Sequence, residues 1–220
     1  LYGHLPVVQY LCEQGADKEA MSNGGETPLH IAARNGHVPV VQYLCEQGAD
    51  KEARDNDDVT PLHIAARNGH VPVVQYLCEQ GADKEARDND RGWRPLLWAA
   101  YEGHLPVVQY LCEQGAEKEA RSDGGRTPLH IAARNGHLPV VQYLCEQGAD
   151  KEAMSNGGDT PLLWAAYEGH LPVVQYLCEQ GADKEARSDG GRTPLLLAAM
   201  EGHKAVAEFL RGGLVDLSCR

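Results

Sequence analysis

Histidine and cysteine are the residues of this chain that could hold a metal ion or carry out redox chemistry. The ten histidines fall on a regular pattern, in which seven follow a glycine and three belong to a Thr-Pro-Leu-His sequence. A structural zinc site needs four ligands at short, mixed spacings, and this pattern offers no second ligand at such a spacing. The histidines are therefore interpreted as structural hydrogen-bonding residues, and neither a metal nor a cofactor is expected. The seven that follow glycine are His4, His37, His70, His104, His137, His170 and His203.

The seven cysteines suggest a disulfide framework at first, but six of them recur at one position of a repeated sequence. Stacked helices lie roughly 8 to 10 Å apart, whereas a disulfide needs Cα atoms within about 7 Å. Neighbouring members should therefore stay unlinked and serve as small buried hydrophobic residues. Cys219 lies outside the series and is the candidate for an exposed thiol. The series is Cys12, Cys45, Cys78, Cys112, Cys145 and Cys178.

Other catalytic or ion-binding patterns are weak. The acidic stretches 55–58 and 88–90 resemble parts of a calcium loop, but the glutamate expected at its twelfth position is missing. No Gly-Lys-Ser/Thr phosphate loop and no nucleophile elbow occurs. These stretches are interpreted as turns, and the chain is predicted not to be an enzyme.

A block of 33 residues repeats along nearly the whole chain. Five blocks contain a Thr-Pro-Leu sequence that begins at Thr27, Thr60, Thr127, Thr160 or Thr193, and Arg94 replaces the threonine once, 34 residues after Thr60. Stacked repeats bury only neighbour against neighbour, so they form no central cavity in which catalytic groups could gather.

The unit that begins near Met21 predicts two short helices. Thr27 can cap a helix with Pro28 at its first position, and Gly36 ends it. A second helix begins at Pro39 and ends at Gly48. Helices this short do not persist alone in water, so each should depend on its neighbours.

The composition indicates an acidic chain without membrane spans. It has 220 residues, 42% of them hydrophobic, and a net charge of -12. This charge argues against nucleic acid as a partner, and no apolar stretch approaches the 18 or so residues of a membrane span. We expect an intracellular monomer, and a chain that opens halfway through a unit is expected to be part of a longer protein.

The residues from Thr27 to His37, followed by Val40 to Asp50, resemble the ankyrin repeat, and the match covers nearly the whole chain. Lys51-Glu52 and Cys45 depart from the usual family residues. The resemblance implies an all-α ankyrin-repeat solenoid, in which helix-turn-helix plus β-hairpin or loop units stack in a curved right-handed array. We expect a single domain over 1–220, divided into a partial repeat (1–20), five full repeats (21–53, 54–86, 87–120 with one inserted residue, 121–153 and 154–186) and a C-terminal capping repeat (187–220).

The two ends of the array differ in sequence. The first helix should present an unpaired apolar face made by Val7, Val8, Leu11 and Cys12. The last unit departs from the repeat and carries polar residues that fit a cap, namely Lys204, Glu208 and Arg211.

The resemblance also implies that a partner binds the hairpin tips and the exposed side of each unit's first helix, on the concave side. Arginines are frequent at these positions, which include Arg187 and Arg192. The alternative, left open, is that they form a solvated mixed-charge face with neighbouring aspartates. The predicted binding residues are Arg54, Arg67, Arg87, Arg91, Trp93, Tyr101, Glu102, Arg121, Arg126, Arg134 and Tyr167.

Trp93 is the favoured anchor because tryptophan is frequent among interface hot spots. Its replacement by Ala is then expected to cost at least about 1 kcal/mol of affinity and to leave melting unchanged. The alternative is that Trp93 folds over a neighbouring hairpin. Trp98 and Trp164 occupy a core position and should pack rather than bind, whereas Tyr101 and Tyr167 replace an exposed arginine and are contact candidates.

The leading functional hypothesis is a non-enzymatic module for protein–protein interaction. Its partner is another protein, and no nucleic acid, membrane or small-molecule substrate is expected. The alternatives are a passive spacer or scaffold within a longer protein, and an engineered repeat scaffold.

Overall fold

The computed structural model of the chain describes residues 3–212, and within them thirteen α-helices and no strand are found. The described residues cluster into two compact units, which divide after Glu117. The first unit contains α1 (Leu5–Glu13), α2 (Pro28–Arg34), α3 (Val38–Glu46), α4 (Pro61–Arg67), α5 (Val71–Glu79), α6 (Pro95–Glu102) and α7 (Leu105–Glu113). The second contains α8 (Pro128–Arg134), α9 (Leu138–Glu146), α10 (Pro161–Glu168), α11 (Leu171–Glu179), α12 (Pro194–Met200) and α13 (Lys204–Gly212).

This all-α architecture of paired helices confirms the predicted fold class. The expected β-hairpins are turns in the described residues, where no strands pair. In one such turn, Asp55 N–H donates to Val59 C=O and Asp58 N–H donates to Asp55 C=O, both at 3.1 Å. Consecutive loops are joined in the same way, as where Asn89 N–H donates to Asp57 C=O at 3.0 Å. The expectation of one domain over 1–220 stays a prediction, and Cys219 lies outside the described residues.

Each first helix begins where the Thr-Pro-Leu pattern predicts. In α4, the Thr60 hydroxyl oxygen accepts the His63 backbone N–H at 3.5 Å, and the Thr60 backbone N–H donates to His63 Nδ1 at 3.2 Å. This reciprocal capping box satisfies two N–H groups that a helix start otherwise leaves unpaired. The second helix α3 begins at Val38, one residue before the predicted start at Pro39.

Within each unit the helices pack in two layers. First helices contact first helices, α2 with α4 and α4 with α6 in one unit, and α8 with α10 and α10 with α12 in the other. Second helices follow the same order, and each first helix also contacts the second helix of its own repeat. Leu62 and Leu96 are about 1% exposed, and Ala65 and Ala66 are fully buried. Small alanines allow the close approach of helices in this layer.

Four of the histidines that follow glycine each bond to the repeat before their own, namely His70, His104, His170 and His203. Nε2–H of His70 donates to Arg34 C=O at 2.8 Å, and Nε2–H of His170 donates to Arg134 C=O at 2.9 Å. The preceding glycine of the earlier repeat must lack a side chain, since a Cβ on Gly36 would lie 2.7 Å from His70 Nδ1. The predicted structural role of these histidines is confirmed.

No disulfide joins the six cysteines of the repeated series within residues 3–212, as predicted. The six side chains are half-buried rather than fully buried. Burial raises the pKa of the Cys78 and Cys145 thiols to about 11. These thiols are therefore protonated and weakly nucleophilic at neutral pH.

The two ends behave as predicted. In α1 no residue is buried, and Val7 and Leu11 are 54% and 49% exposed. In α13 the apolar residues Val206 and Ala207 are buried. The polar residues Lys204, Glu208 and Arg211 are exposed.

Three histidines of the Thr-Pro-Leu-His sequence, His30, His63 and His130, are fully buried. In each, Nδ1 accepts the threonine N–H, so the proton lies on Nε2 and is donated to a carbonyl of the next repeat, such as Asp159 C=O at 3.0 Å from His130. Burial lowers the pKa of all three imidazoles, that of His130 to about 4. Only the neutral ring can make both hydrogen bonds.

We therefore expect stability to depend on pH. A lowered pKa means that the unfolded chain binds more protons than the folded chain, so the contribution of these histidines is complete above about pH 6.5. It decreases as the pH falls, and for His130 the loss continues to about pH 4 and reaches roughly 2–3 kcal/mol. Urea unfolding between pH 7.5 and 4 measures this loss.

The matched variant is His130→Leu, because leucine already occupies the corresponding position as Leu97 and Leu163. It should unfold with a shallower dependence of stability on pH than the parent chain. An unchanged dependence would contradict the assignment to His130.

Candidate protein-binding face

The repeats are nearly identical in their second helices and differ in their first helices and loops. Helices α3, α5, α7, α9 and α11 share the sequence Pro-Val-Val-Gln-Tyr-Leu-Cys-Glu after an initial Val or Leu. Two positions at the start and end of the first helix differ among the repeats, and we call them together the first-helix face. The position before the cap holds Glu26, Val59, Trp93, Arg126, Asp159 and Arg192. The position in the last turn of the first helix holds Arg34, Arg67, Tyr101, Arg134, Tyr167 and Met200.

In the first unit, this face brings together an arginine and three aromatic rings. The Arg67 guanidinium lies 4.6 Å from the centre of the Trp98 ring and 3.5 Å from the Glu102 carboxylate, measured from Nε. Tyr101 packs against Trp98 and Trp93, with ring centres 6.1 and 5.3 Å apart. Cation–π contacts and the ion pair fix the direction of the Arg67 side chain, which remains 56% exposed.

In the second unit, two arginines lie over one tryptophan. The guanidinium carbons of Arg134 and Arg126 are 4.6 and 4.8 Å from the centre of the Trp164 ring. Arg134 Nε lies 3.1 Å from a Glu168 carboxylate oxygen, which matches the Arg67–Glu102 pair of the other unit. Tyr167 packs edge-on against Trp164, 5.9 Å between ring centres. The structure thus brings three of the predicted binding residues of this unit, Arg126, Arg134 and Tyr167, to Trp164.

The placement of Trp93 requires a correction. The sequence predicts Trp93 as an anchor for the partner at a loop tip, but its side chain is 3% exposed. Its ring packs against Trp98 at 4.7 Å between centres, and the Arg91 guanidinium lies 4.9 Å above it. An aromatic ring at a loop tip gains more by burying its faces against local rings than by standing in water. The alternative of local cover therefore describes Trp93.

The other two tryptophans differ in burial. Trp98 is 8% exposed, which confirms its predicted place in the core. Trp164 is only half-buried, although it occupies the same position of its repeat. The difference follows from their loops, because Trp98 is covered by Trp93 whereas Asp159 stands at the position of Trp93 next to Trp164.

Asp88 organises the loop of the inserted residue, and sequence reasoning treated it only as a turn residue. It is 5% exposed, and one carboxylate oxygen accepts the backbone N–H groups of Trp93 at 2.9 Å and Arg91 at 3.1 Å. The other accepts the indole N–H of Trp98 at 2.9 Å. The sequence does give a signal for this role of Asp88. Its loop has one extra residue, and four other loops have serine at the position of Asp88.

The corresponding position next to Trp164 is Ser155, and its hydroxyl serves its own loop. Ser155 Oγ accepts the N–H groups of Gly157 and Asp159 at 3.3 and 3.2 Å. The Trp164 indole N–H is buried and has no hydrogen-bond partner. Two otherwise matched tryptophans therefore differ in whether this donor is satisfied.

The loop arginines also stabilise the fold. Arg54 donates to the Arg87 carbonyl at 3.2 Å, and Arg121 donates to the Met154 carbonyl at 2.7 Å, so both fasten a loop to the next one. Arg91 pairs with the neighbouring Asp90 at 3.0 Å. These three arginines are exposed, and so are the loop residues Arg87 and Arg187.

Arg94 makes no side-chain cap, which confirms the expectation from its replacement of threonine. Its guanidinium instead bridges Glu85 and Glu117 at 2.9 and 2.7 Å. The hydrogen bond to Glu117 offsets part of the lost cap, because charge-assisted hydrogen bonds are stronger than neutral ones.

An open groove of about 540 Å³ in the first unit is lined by Arg34, Arg67, Glu102 and His104. In the second unit, a cavity of about 260 Å³ between α8, α10 and α12 is lined by Arg134, Asp159, Trp164 and Arg192, among others. Burial raises the pKa of the Asp159 carboxyl, while Arg192 and Arg126 act in the opposite direction. Arginine and tyrosine side chains of this kind can hydrogen-bond carboxylates and peptide carbonyls.

Residues 3–212 contain neither a cluster of metal ligands nor a helix that could span a membrane. No group of three or more His, Cys, Asp or Glu side chains stands close enough to hold a metal ion. The longest helices there have nine residues, and none has the length and apolar character to cross a membrane.

The family model for ankyrin repeats (three copies) matches residues 1–88, 84–155 and 151–217. No curated protein matches the chain.

The two tryptophans provide a matched test of the hydrogen bond to Asp88. Trp98→Phe removes a donor from a buried carboxylate and should lower the free energy of unfolding by about 1–3 kcal/mol beyond the loss of ring volume. Trp164→Phe removes only an unsatisfied donor, so it should cost at least about 1 kcal/mol less. Urea unfolding of both variants measures the difference, and equal losses would contradict it.

Burial of Trp93 changes the expected effect of its mutation. Trp93→Ala should lower the free energy of unfolding by about 3–5 kcal/mol, because it opens a cavity between Trp98 and Tyr101. Thermal or urea unfolding measures this, with the exposed loop change Arg187→Ala as the control that leaves stability within about 0.5 kcal/mol. Unaltered melting of Trp93→Ala would restore its interpretation as a surface anchor.

Proposed function

The chain belongs to the ankyrin-repeat family, whose members are in general protein-interaction modules, and we propose that it is a non-enzymatic module that binds another protein. The partner contacts the first-helix face and the adjacent loop tips in each unit. The residues proposed to carry binding are those predicted from the sequence, except that Trp93 supports the face from below instead of anchoring the partner.

The observation that carries this proposal is where the repeats differ. A surface repeated without change in every unit cannot favour one position of a partner over the next. The first-helix face differs from repeat to repeat. The position before the cap holds Glu26, Val59 and Trp93 in one unit and Arg126, Asp159 and Arg192 in the other. Specific recognition needs such differences, because specificity is a difference of affinities.

The chemistry of the face supports a protein partner. Arginine and tyrosine are frequent among residues that dominate protein interfaces. Arg67 and Arg134 are held over tryptophan rings and paired with Glu102 and Glu168. A side chain that is already fixed loses less conformational entropy on binding than a free one.

The rest of the partner assignment rests on charge and chemistry. The net charge of -12 disfavours nucleic acid. The open polar groove in the first unit suits an extended polypeptide rather than a small-molecule substrate. We further propose a monomer in a reducing, intracellular compartment, where unlinked cysteines are the rule.

A passive spacer is the second candidate, and the near-identity of the second helices favours it. A spacer needs only length and stiffness, which identical packing surfaces supply. It makes no use of differences on the first-helix face, so mutations there separate the two candidates.

The test is partner capture with the full 220-residue chain and two matched variants. The face variant carries Arg67→Gln, Arg91→Gln, Arg126→Gln and Arg134→Gln. The control variant carries four exposed neutral changes at the ends of second helices, Gln47→Ala, Gln80→Ala, Gln147→Ala and Gln180→Ala. Both should melt within a few degrees of the parent.

A protein bound by the parent and the control variant but lost by the face variant is the expected result, with at least about tenfold weaker binding from several hot-spot changes. Equal capture by all three chains would refute binding through this face and favour the spacer.

Salt provides an independent prediction. Because the proposed contacts include exposed arginines, raising the salt from about 0.05 M to about 0.5 M should weaken binding at least about threefold. Titration calorimetry with the captured partner measures this. An affinity that does not change with salt would remove the electrostatic part of the proposal.

A further inference from the structure

The indole N–H of Trp164 is a buried donor that nothing in the described part of the chain satisfies. Its counterpart in Trp98 donates to Asp88, and the Asp88 position is taken here by Ser155, whose hydroxyl is used within its own loop. An unsatisfied buried donor is destabilising. Such groups are rare in native proteins and call for an explanation.

The tryptophan that carries this donor lines a cavity. The cavity of about 260 Å³ lies between α8, α10 and α12, and Trp164 and Tyr167 form part of its wall together with Arg134 and Arg192. Trp164 is half-buried, and the two side chains that lie over its ring are arginines. Arginine side chains are long and have several rotatable bonds, so a small movement of either can open the N–H to a ligand in the cavity.

The charges around the cavity favour an anion with a single charge. Arg126, Arg134 and Arg192 contribute three positive charges, and Asp159 and Glu168 contribute two negative charges. The local balance is positive in a chain of net charge -12. The two acids would repel a doubly charged phosphate more strongly than a carboxylate.

We propose, as a refinement that rests on the protein-binding function above, that this cavity receives the carboxylate of an aspartate or glutamate side chain of the partner. The carboxylate accepts the Trp164 indole N–H and pairs with the guanidinium groups of Arg134 and Arg192. It takes the place that Asp88 occupies within the chain next to Trp98. In the first unit, the carboxylate of Asp88 already binds the Trp98 indole N–H. In the second unit, the Trp164 indole N–H is left to bind a carboxylate of the partner.

The test uses the full chain labelled with ¹⁵N and follows the indole N–H signals of its three tryptophans. The signal of Trp164 is identified by its loss in Trp164→Phe. Three capped peptides are compared at constant ionic strength, with glycine alternating with glutamate, glutamine or lysine. The Trp98 signal is the internal control, because its N–H is already bonded to Asp88.

The expected result is a saturable shift of the Trp164 indole proton with the glutamate peptide and none of comparable size with the other two. Arg192→Ala should weaken binding of the glutamate peptide about two- to fivefold, in line with the loss of one exposed ion pair. Arg211→Ala, which changes an exposed arginine of α13 that does not line the cavity, should leave it unchanged.

Three results would overturn the proposal. Equal shifts with glutamate and glutamine peptides would mean that a neutral acceptor suffices. Stronger binding of the lysine peptide would assign the cavity to a cation through Asp159. No shift of the Trp164 proton with any peptide would exclude the site, while partner capture that still depends on the first-helix face would leave the protein-binding function standing.

Discussion

The dependence of each helix pair on its neighbours is the constraint from which the rest of the structure follows. The helices have seven to nine residues, well below the roughly 12 to 15 that a helix needs to persist in water. Burial of Leu62, Val73 and Leu77 against adjacent repeats stabilises them. The residues that make these contacts must be nearly the same in every repeat, because each repeat has to fit against the next.

The same constraint decides where function can lie. The second helices and the buried alanines are needed for packing, and the buried histidines are needed for hydrogen bonds to carbonyls of the next repeat. Variation is tolerated where a side chain leaves the packing layers, which is on the first helices and loops. The clusters around Trp98 and Trp164 stand there, and their differences arise from single positions such as Asp88 against Ser155.

Much of the fold could be predicted from the sequence because its determinants are local. The cap at Thr60, the prolines at helix starts and the glycine before His70 act within a few residues, so periodicity and spacing reveal them. The loops form turns where β-hairpins were possible, because such short loops make too few backbone hydrogen bonds to pair as strands. The missing cap at Arg94 could be predicted for the same reason. Its contacts with Glu85 and Glu117 could not, because they join residues that are distant in the sequence.

The candidate site was less predictable because it depends on side chains that meet only after folding. Trp93 lies at a loop tip in the sequence, and nothing local indicates that Trp98 and Tyr101 stand close enough to bury it. The role of Asp88 depends on the path of a loop with one extra residue. Comparison of the repeats with one another does give a signal, since the exchange of Asp88 for Ser155 removes the acceptor that Trp98 has and Trp164 lacks.

The most direct test of the central claim is the helix content of one repeat in isolation, measured by far-ultraviolet circular dichroism on a peptide of residues 121–153. The account predicts a largely unfolded peptide with no cooperative melting, while the full chain is helical and melts cooperatively. A helical peptide that melts cooperatively would show that a repeat is stable without its neighbours, and would contradict the account.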